Sequence, residues 1–163
     1  MSIKSITATM LLVTLLLVVS KQAYSFDGWL NIHITASHAK RTYMDKTGNN
    51  VEYNQNNFGL GVSLPYNSNI DVRAGFYDNS FNATSVYAGA DLYVNPSRFV
   101  TVGVNTGLVT GYENTPAHTS TLAPMLMPHI TFKMKNFRTE IGYVPSFDPK
   151  QVAFWTFSVG TRF

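Results

Sequence analysis

The sequence contains no cysteine, few charged residues, and no long apolar run beyond its N-terminal segment. Without cysteine, the chain has no disulfide framework, thiol nucleophile, thiolate metal site or lipid-modified lipoprotein cysteine. Charged residues make up 13% of the 163 residues, whereas soluble domains typically contain roughly 25%. Any chemistry must therefore use oxygen and imidazole groups.

The charges that are present nearly balance. Lys and Arg number 12 against 9 Asp and Glu, but Lys4 and Lys21 fall in an N-terminal segment that looks removable. The remaining chain then has ten basic residues against nine acidic ones. A nearly neutral chain offers no electrostatic basis for binding nucleic acid, so no nucleic-acid partner is expected.

The first 25 residues have the organisation of a secretory signal peptide. Lys4 gives the positive end, an apolar run extends from Met10 to Val19, and Ala23-Tyr24-Ser25 is a small-x-small cleavage site. An uncleaved membrane helix is the alternative, but ten strongly apolar residues are too few to span a bilayer. We therefore predict a cleaved signal peptide at 1–25 and one exported domain at 26–163.

The mature chain alternates apolar and polar residues with period two, which predicts β-strands. One such segment is Leu30 to Ser37, and seven more follow near 57–64, 70–77, 85–92, 100–108, 130–134, 141–143 and 153–159. Tight turns are expected at 66–69, 95–98 and 135–136. Between them lie longer links at 43–51 and 113–120 and shorter ones at 79–84 and 146–150, all four on the outer face. Short turns alternating with longer loops are typical of membrane barrels.

The polar face of these strands decides between a soluble and a membrane barrel. A soluble sandwich or lipocalin-like barrel would expose that face, which is rich in glycine and carries few charges: Asp71, Arg73, Asp91, Lys133, Glu140 and Arg162. Such charges fit an interior better, where opposite charges can pair. The aromatic last strand, ending in Phe163, resembles the assembly signal of bacterial outer-membrane barrels. We predict an all-β fold, an eight-stranded antiparallel transmembrane β-barrel of the outer membrane.

The inward face is unusually rich in glycine: Gly59, Gly61, Gly75, Gly89, Gly103, Gly107 and Gly111. These glycines either leave a slot for an acyl chain, walled by Met125 and Met127, or merely relieve crowding. Pro124 and Pro128 lie in one strand, where each removes a ladder donor. The prolines therefore predict a gap in the hydrogen bonding, which in a closed barrel is a lateral opening to lipid.

Two groups suited to acyl transfer lie next to the predicted outer loops. His38 precedes the first long loop and Ser80 begins the second. An imidazole can take a proton while an oxygen attacks an ester. The alternative is that both are ordinary surface residues.

Several short motifs resemble, in order, those of a known family, the PagP-like lipid A palmitoyltransferases. They are His38-Ala39-Lys40-Arg41-Thr42-Tyr43 with Asp45-Lys46, Tyr53-Asn54, Gly59-Leu60-Gly61, Phe76-Tyr77-Asp78-Asn79-Ser80-Phe81, Ala88-Gly89, Pro124-Met125-Leu126-Met127-Pro128, Tyr143-Val144-Pro145 and the terminal Arg-x-Phe. The ordered set covers nearly all of the mature barrel.

The resemblance implies an outer-membrane acyltransferase that moves a palmitoyl-like chain from a phospholipid donor to lipid A. It implies no cofactor and no metal, and a monomer is expected. The family's His, Asp and Ser fall on His38, Asn79 and Ser80. Asn79 departs from the pattern because an amide cannot serve as an acid, base or counter-charge.

The resemblance also assigns the substrate-binding residues Gly89, Asp91, Met125, Met127, Pro124 and Pro128. Asp91 replaces a glycine that ends the family's acyl slot, so its carboxylate should shorten the slot. The family's N-terminal amphipathic helix is missing. Strand parity places His38 on the lipid side unless a bulge lies near Ser37, and His33 is the rival imidazole.

Two other functions remain open. The barrel could be a non-enzymatic structural protein that kept the scaffold. It could also be a lipid A deacylase-type hydrolase, for which His129, Thr131 and Glu140 form a candidate inward set.

Overall fold

The computed structural model describes residues 27–45, 47–113, 120–146 and 152–163. The predicted signal peptide and its cleavage site lie outside these residues. Within them, no helix is long and apolar enough to cross a membrane.

Ten strands form in the described residues, eight of them in a closed barrel. Their bounds are β1 (Trp29–His38), β2 (Thr42–Met44), β3 (Asn50–Glu52), β4 (Gly59–Asn67), β5 (Ile70–Asp78), β6 (Thr84–Ser97), β7 (Val100–Thr110), β8 (Leu122–Met134), β9 (Phe137–Val144) and β10 (Phe154–Arg162). Sequential barrel strands pair antiparallel, and β1 closes the ring against β10. β2 and β3 form a separate hairpin, which the sequence did not predict.

The barrel is polar inside and apolar outside, which confirms the predicted transmembrane fold. Large apolar side chains are exposed around the wall, including Leu30, Phe76, Val86, Leu108, Ile130 and Trp155. Polar residues such as Asn31, Asp71, Arg73, Asn105 and Glu140 are buried. Alternation with apolar residues outward is the pattern of strands that face lipid.

Two-residue turns join β4 to β5, β6 to β7 and β8 to β9, at 68–69, 98–99 and 135–136. We call this the turn end, and the opposite end, which carries the β2–β3 hairpin, the loop end. β6 continues to Ser97, so the turn predicted at 95–98 lies later. Gly111, expected on the inward face of a strand, lies beyond the end of β7 and has a φ of 86°. Arg162 was expected to face the interior, but its side chain is exposed and paired with Asp27.

A β-bulge in β1 reverses the inward face of that strand. His33 pairs with Ser158 of β10, but Thr35 pairs with the adjacent Phe157, so Ile34 is the extra residue. Beyond the bulge, Ala36 is 2% exposed and His38 lines the lumen. The expectation that Ala36 faces lipid was therefore wrong, and the bulge lies three residues before the position proposed from the sequence.

The wall has a gap between β8 and β9 toward the loop end. In the described ladder, β8 pairs with β9 only from His129 to Met134, although β8 pairs with β7 from Leu122 to Phe132. Residues 122–128 of β8 thus have no β9 partner in that ladder. Pro124 and Pro128 lie in this segment, as predicted from their lack of an amide donor.

Candidate functional site

The loop-end half of the barrel contains a cavity of about 340 Å³, within the size range of small-molecule pockets. Its wall is mainly apolar and aromatic, with contributions from Tyr77, Val109, Ala123, Met125, Met127 and Phe154. The lining also includes Pro124 and Leu126 of β8. The cavity therefore reaches the segment of β8 beside the gap.

The floor of the cavity is an ion pair. Nη1 of Arg73 lies 2.9 Å from Oε2 of Glu140 and also donates to Oδ1 of Asn105 at 2.5 Å. All three residues line the cavity and are buried. Opposite charges this close offset part of the penalty of removing each from water.

Below the floor, a second polar network fills the turn-end half. Arg138 donates to Oδ1 of Asn31 and Oγ of Ser63 at 2.6 Å and 2.8 Å. Its Nη1 lies 3.8 Å from Asp71, and its guanidinium lies over the ring of Trp29. Sequence reasoning missed Arg138, although it shares the inward parity of Glu140 in β9.

Tyr87 explains part of the glycine-rich face. A Cβ added at Gly61 or Gly75 would collide with the Tyr87 hydroxyl, so these glycines make room for that side chain. The hydroxyl lies 2.9 Å from Nε2 of His33. Tyr87 therefore fills space that the sequence left open, and the cavity lies beside it.

His38 lines the cavity at the loop end, where two rings hold its imidazole. It stacks on Tyr53 with ring centroids 4.3 Å apart and on Phe154 at 4.7 Å. Its Nδ1 is buried and has no hydrogen-bond partner among the described residues. His33 also lines the cavity, but its Nε2 is already engaged by Tyr87.

Ser80 is buried and lines the same cavity as His38. Its Oγ lies 3.4 Å from Nδ2 of Asn57, a lining residue that the sequence did not single out. Asn57 lies in an irregular segment between β3 and β4. The signal that could have indicated it is strand parity, because Asn57 shares the inward parity of Gly59 and Gly61 in the sequence.

Asn79 is separate from this pair, because its side chain closes the β5–β6 turn. Its Nδ2 donates to Oγ of Ser85 and to the carbonyl oxygen of Gly111. Its Oδ1 accepts from the amides of Phe81 and Ala83. Asn79 is fully buried and is not part of the cavity wall. The structure therefore brings His38 and Ser80 to one cavity but gives Asn79 other partners.

The expected substrate-binding residues divide into two groups. Pro124, Met125 and Met127 line the cavity. Gly89, Asp91 and Pro128 are not part of its wall. Asp91 instead accepts a hydrogen bond from Nε2 of His129 at 2.7 Å.

The residues of the hydrolase alternative meet at the cavity floor, where Glu140 lines the cavity and His129 and Thr131 lie behind it. Nδ1 of His129 lies 3.2 Å from Oγ1 of Thr131 and 3.8 Å from Oε2 of Glu140. His129 and Thr131 are buried and do not line the cavity, so a lipid ester in the cavity would not reach them.

Asp91, His129 and Glu140 also form the one group in the described chain with metal-ligand spacing, their ligand atoms within 4.8 Å of one another. Arg73 pairs with Glu140 and lies 3.9 Å from Asp91. A guanidinium at this position disfavours a cation. The group is explained as an ion-pair network.

An aromatic cap, made of Tyr43, Tyr53, Phe81 and Tyr112, covers the loop end of the cavity. Tyr43 comes from the β2–β3 hairpin and packs on Tyr53 and Phe81, each with ring centroids 4.9 Å away.

Asp45 closes the hairpin turn. Hydrogen bonds from Thr47 and Asn49 hold the pKa of Asp45 below its usual value.

No family model and no curated protein matches the sequence. A structure from the de novo design of transmembrane β-barrels is similar with a TM-score of 0.59 and 9% identity, over 85% of this chain and 96% of the design. The Yersinia pestis outer membrane protein Ail in a nanodisc is similar with a TM-score of 0.54 and 14% identity, over 85% of this chain and 100% of Ail. The N-terminal β-barrel domain of Pseudomonas aeruginosa OprF is similar with a TM-score of 0.53 and 10% identity, over 85% of this chain and 98% of that domain. The chain thus has the fold of an outer-membrane β-barrel.

Proposed function

We propose that the protein is an outer-membrane acyltransferase that moves a fatty acyl chain from a phospholipid to lipid A. The observation that carries the proposal is one apolar cavity, about 340 Å³ in volume, that reaches the β8–β9 gap and has His38 and Ser80 in its wall. A pocket with apolar walls and a few convergent polar groups is typical of a binding site for an amphipathic ligand.

The membrane orientation follows from the loops. Outer-membrane barrels have short periplasmic turns and longer outer loops, so the turn end faces the periplasm. His38 and Ser80 then lie toward the outer leaflet. In this proposal, lipid on the apolar outer wall enters the cavity where β8 lacks a β9 partner, beside Pro124 and Leu126.

The chemistry needs one proton carrier and one donor to the ester oxygen. A hydroxyl oxygen of lipid A attacks the ester carbonyl carbon while His38 takes the hydroxyl proton. Ser80 donates a hydrogen bond to the carbonyl oxygen as negative charge develops there. The bond from the carbonyl carbon to the glycerol oxygen then breaks, His38 returns the proton to that oxygen, and a lysophospholipid leaves.

Mass spectrometry of lipid A from cells with and without the protein tests the proposal. The wild type should add the mass of one acyl chain, and Ser80→Ala and His38→Ala should each abolish the gain. Ser37→Ala is a matched control because Ser37 is exposed and precedes His38. All variants should retain the compact band that membrane barrels show on unheated gels. Unchanged lipid A with a folded wild type would overturn acyl transfer, and loss of a chain would indicate deacylation.

A non-enzymatic lipid-binding barrel is the second candidate. One observation favours it. Among the described residues that line the cavity, Glu140 alone has a carboxylate, and that carboxylate is paired with Arg73 at the floor. His38 thus has no acid beside it in that lining. This candidate predicts phospholipid that copurifies with the barrel and unchanged lipid A.

A further inference from the structure

Asn57 lies beside Ser80 in the cavity wall, and only part of its amide group has a hydrogen-bond partner among the described residues. It is 6% exposed and lines the cavity with His38 and Ser80. Its Oδ1 is buried and has no hydrogen-bond partner among the described residues. A buried acceptor without a partner is destabilising, because it has lost its hydrogen bonds to water. A hydroxyl-bearing substrate in the cavity could supply the missing donor.

The orientation of the Asn57 amide follows from its backbone partner. Nδ2 donates to the carbonyl oxygen of Asp78 at 2.8 Å, and a carbonyl oxygen can only accept. The nitrogen therefore points toward β5. The second amide hydrogen of Nδ2 is donated to the Ser80 Oγ at 3.4 Å, a long hydrogen bond that an oxygen placed between the two groups would replace.

We infer that Asn57 and Ser80 form a two-donor site for the oxygen of the ester carbonyl, and that Asn57 is a catalytic residue of the proposed acyl transfer. This inference rests on the proposed function. Two donors 3.4 Å apart can both lie within about 2.7–3.1 Å of one oxygen, the geometry required to stabilise an oxyanion.

The site also accounts for the departure at Asn79. The four hydrogen bonds of its side chain hold the β5–β6 turn, and this turn presents Ser80 to the cavity. Asn57 reaches Ser80 from the segment between β3 and β4. Charge stabilisation by amide and hydroxyl donors requires no carboxylate, so a site of this kind can work without an acid at residue 79.

The experiment compares Asn57→Ala with Asn54→Ala in purified, detergent-solubilised barrel. Asn54 is the matched control because its Nδ2 also bonds backbone carbonyls of this region, those of Asn56 and Asn79. It does not line the cavity. The donor is phosphatidylethanolamine, the acceptor is purified lipid A, and kcat and KM are measured separately.

Loss of an oxyanion donor should lower the kcat of Asn57→Ala by roughly 100-fold to 1000-fold, with KM changed by less than threefold. Asn57→Asp replaces the donor by an acceptor of the same shape. Its kcat should fall as much as that of Asn57→Ala, because the donated hydrogen is lost in both variants. Asn54→Ala should keep the wild-type kcat.

An active wild type with equal kcat in Asn57→Ala and Asn54→Ala would overturn the role of Asn57 alone. A wild type without transfer overturns the proposed function and this role together. A higher KM at unchanged kcat in Asn57→Ala would show that the residue only shapes the cavity, which also contradicts the inference.

Discussion

The imidazole of His38 lies parallel to the ring of Tyr53, with 4.3 Å between centroids and 4° between planes. Tyr53 follows β3 directly, so the chain that returns from the β2–β3 hairpin holds the imidazole in place. Aromatic pairs of this kind contribute about 0.5–1.5 kcal/mol beyond buried area. The hairpin is thereby coupled to the candidate site.

Tyr53→Ala should therefore lower acyl transfer about tenfold while leaving the barrel folded, because His38 loses one of its two stacking partners. Tyr53→Phe keeps the ring and should retain near-wild-type activity. Lipid A mass gain and gel mobility of unheated samples give the two readouts. Equal loss in both variants would show that the hydroxyl, and not stacking, is what matters.

Restoring the acid of the resembled family at Asn79 should not increase activity. Asn79→Asp replaces an amide that donates to the Gly111 carbonyl at 2.8 Å, so a carboxylate oxygen would face a carbonyl oxygen. Loss of this buried donor should destabilise the turn by about 1–3 kcal/mol. Thermal unfolding followed by gel mobility measures the loss. A stable Asn79→Asp with higher transfer would contradict this assignment of Asn79.

The barrel could be predicted from the sequence because its signal is distributed over eight strands. Period two, inward charges and alternating loop lengths all indicate the same fold. The inward parity of Arg73, Asp91 and Glu140 was correct for the same reason. Pro124 and Pro128 located the gap because proline lacks the amide donor that a ladder needs.

The site was harder to predict because it depends on irregular backbone. The extra residue in β1 is Ile34, whose apolar side chain continues the alternation and hides the bulge. Asn79 and Asn57 are both asparagines near Ser80. Parity puts Asn57 on the inward face, but the sequence cannot show that the side chain of Asn79 turns away from the cavity. Their hydrogen bonds distinguish them: the side chain of Asn79 donates to the Gly111 carbonyl oxygen, whereas that of Asn57 donates to the Ser80 Oγ.

The floor ion pair should make a large contribution to barrel stability. Glu140→Gln removes the carboxylate beside the buried Arg73, which then lacks its nearest counter-charge. Breaking a buried pair by changing one partner typically costs about 3–5 kcal/mol. The midpoint of heat-induced unfolding on gels should fall. The exposed Glu52 is the matched control, and an equally small effect of Glu140→Gln and Glu52→Gln would contradict the assigned role.

The β2–β3 hairpin should loosen at acid pH. The pKa of Asp45 is lowered by the hydrogen bonds from Thr47 and Asn49, so its ionised form is favoured in the folded hairpin. This stabilisation is present above the unfolded pKa and is lost as the pH falls through the lowered, folded value. The protection of the Thr47 and Asn49 amides, measured as the exchange rate relative to the intrinsic rate at each pH, should fall in that range, and Asp45→Asn should remove this change in protection. Identical protection in wild type and Asp45→Asn at neutral and acid pH would argue against this linkage.

The length of the transferred chain should depend on the cavity floor and not on Asp91. Ser158 is buried, lines the cavity and pairs with Glu140 across β9 and β10. Ser158→Leu adds apolar volume at the floor, so the cavity should hold fewer methylenes, each of which favours binding by about 0.8 kcal/mol. The chain added to lipid A should shorten.

Two control variants separate the floor from the polar network below it. Ser158→Ala should leave the chain length unchanged because it adds no volume. Asp91→Gly should lower stability by removing the partner of His129, but it should not change the chain length because Asp91 is not part of the cavity wall. The lipid A mass distribution measures all three variants. A longer chain in Asp91→Gly would place the end of the acyl slot at Asp91, whereas a shorter chain only in Ser158→Leu would place it at the Arg73–Glu140 pair.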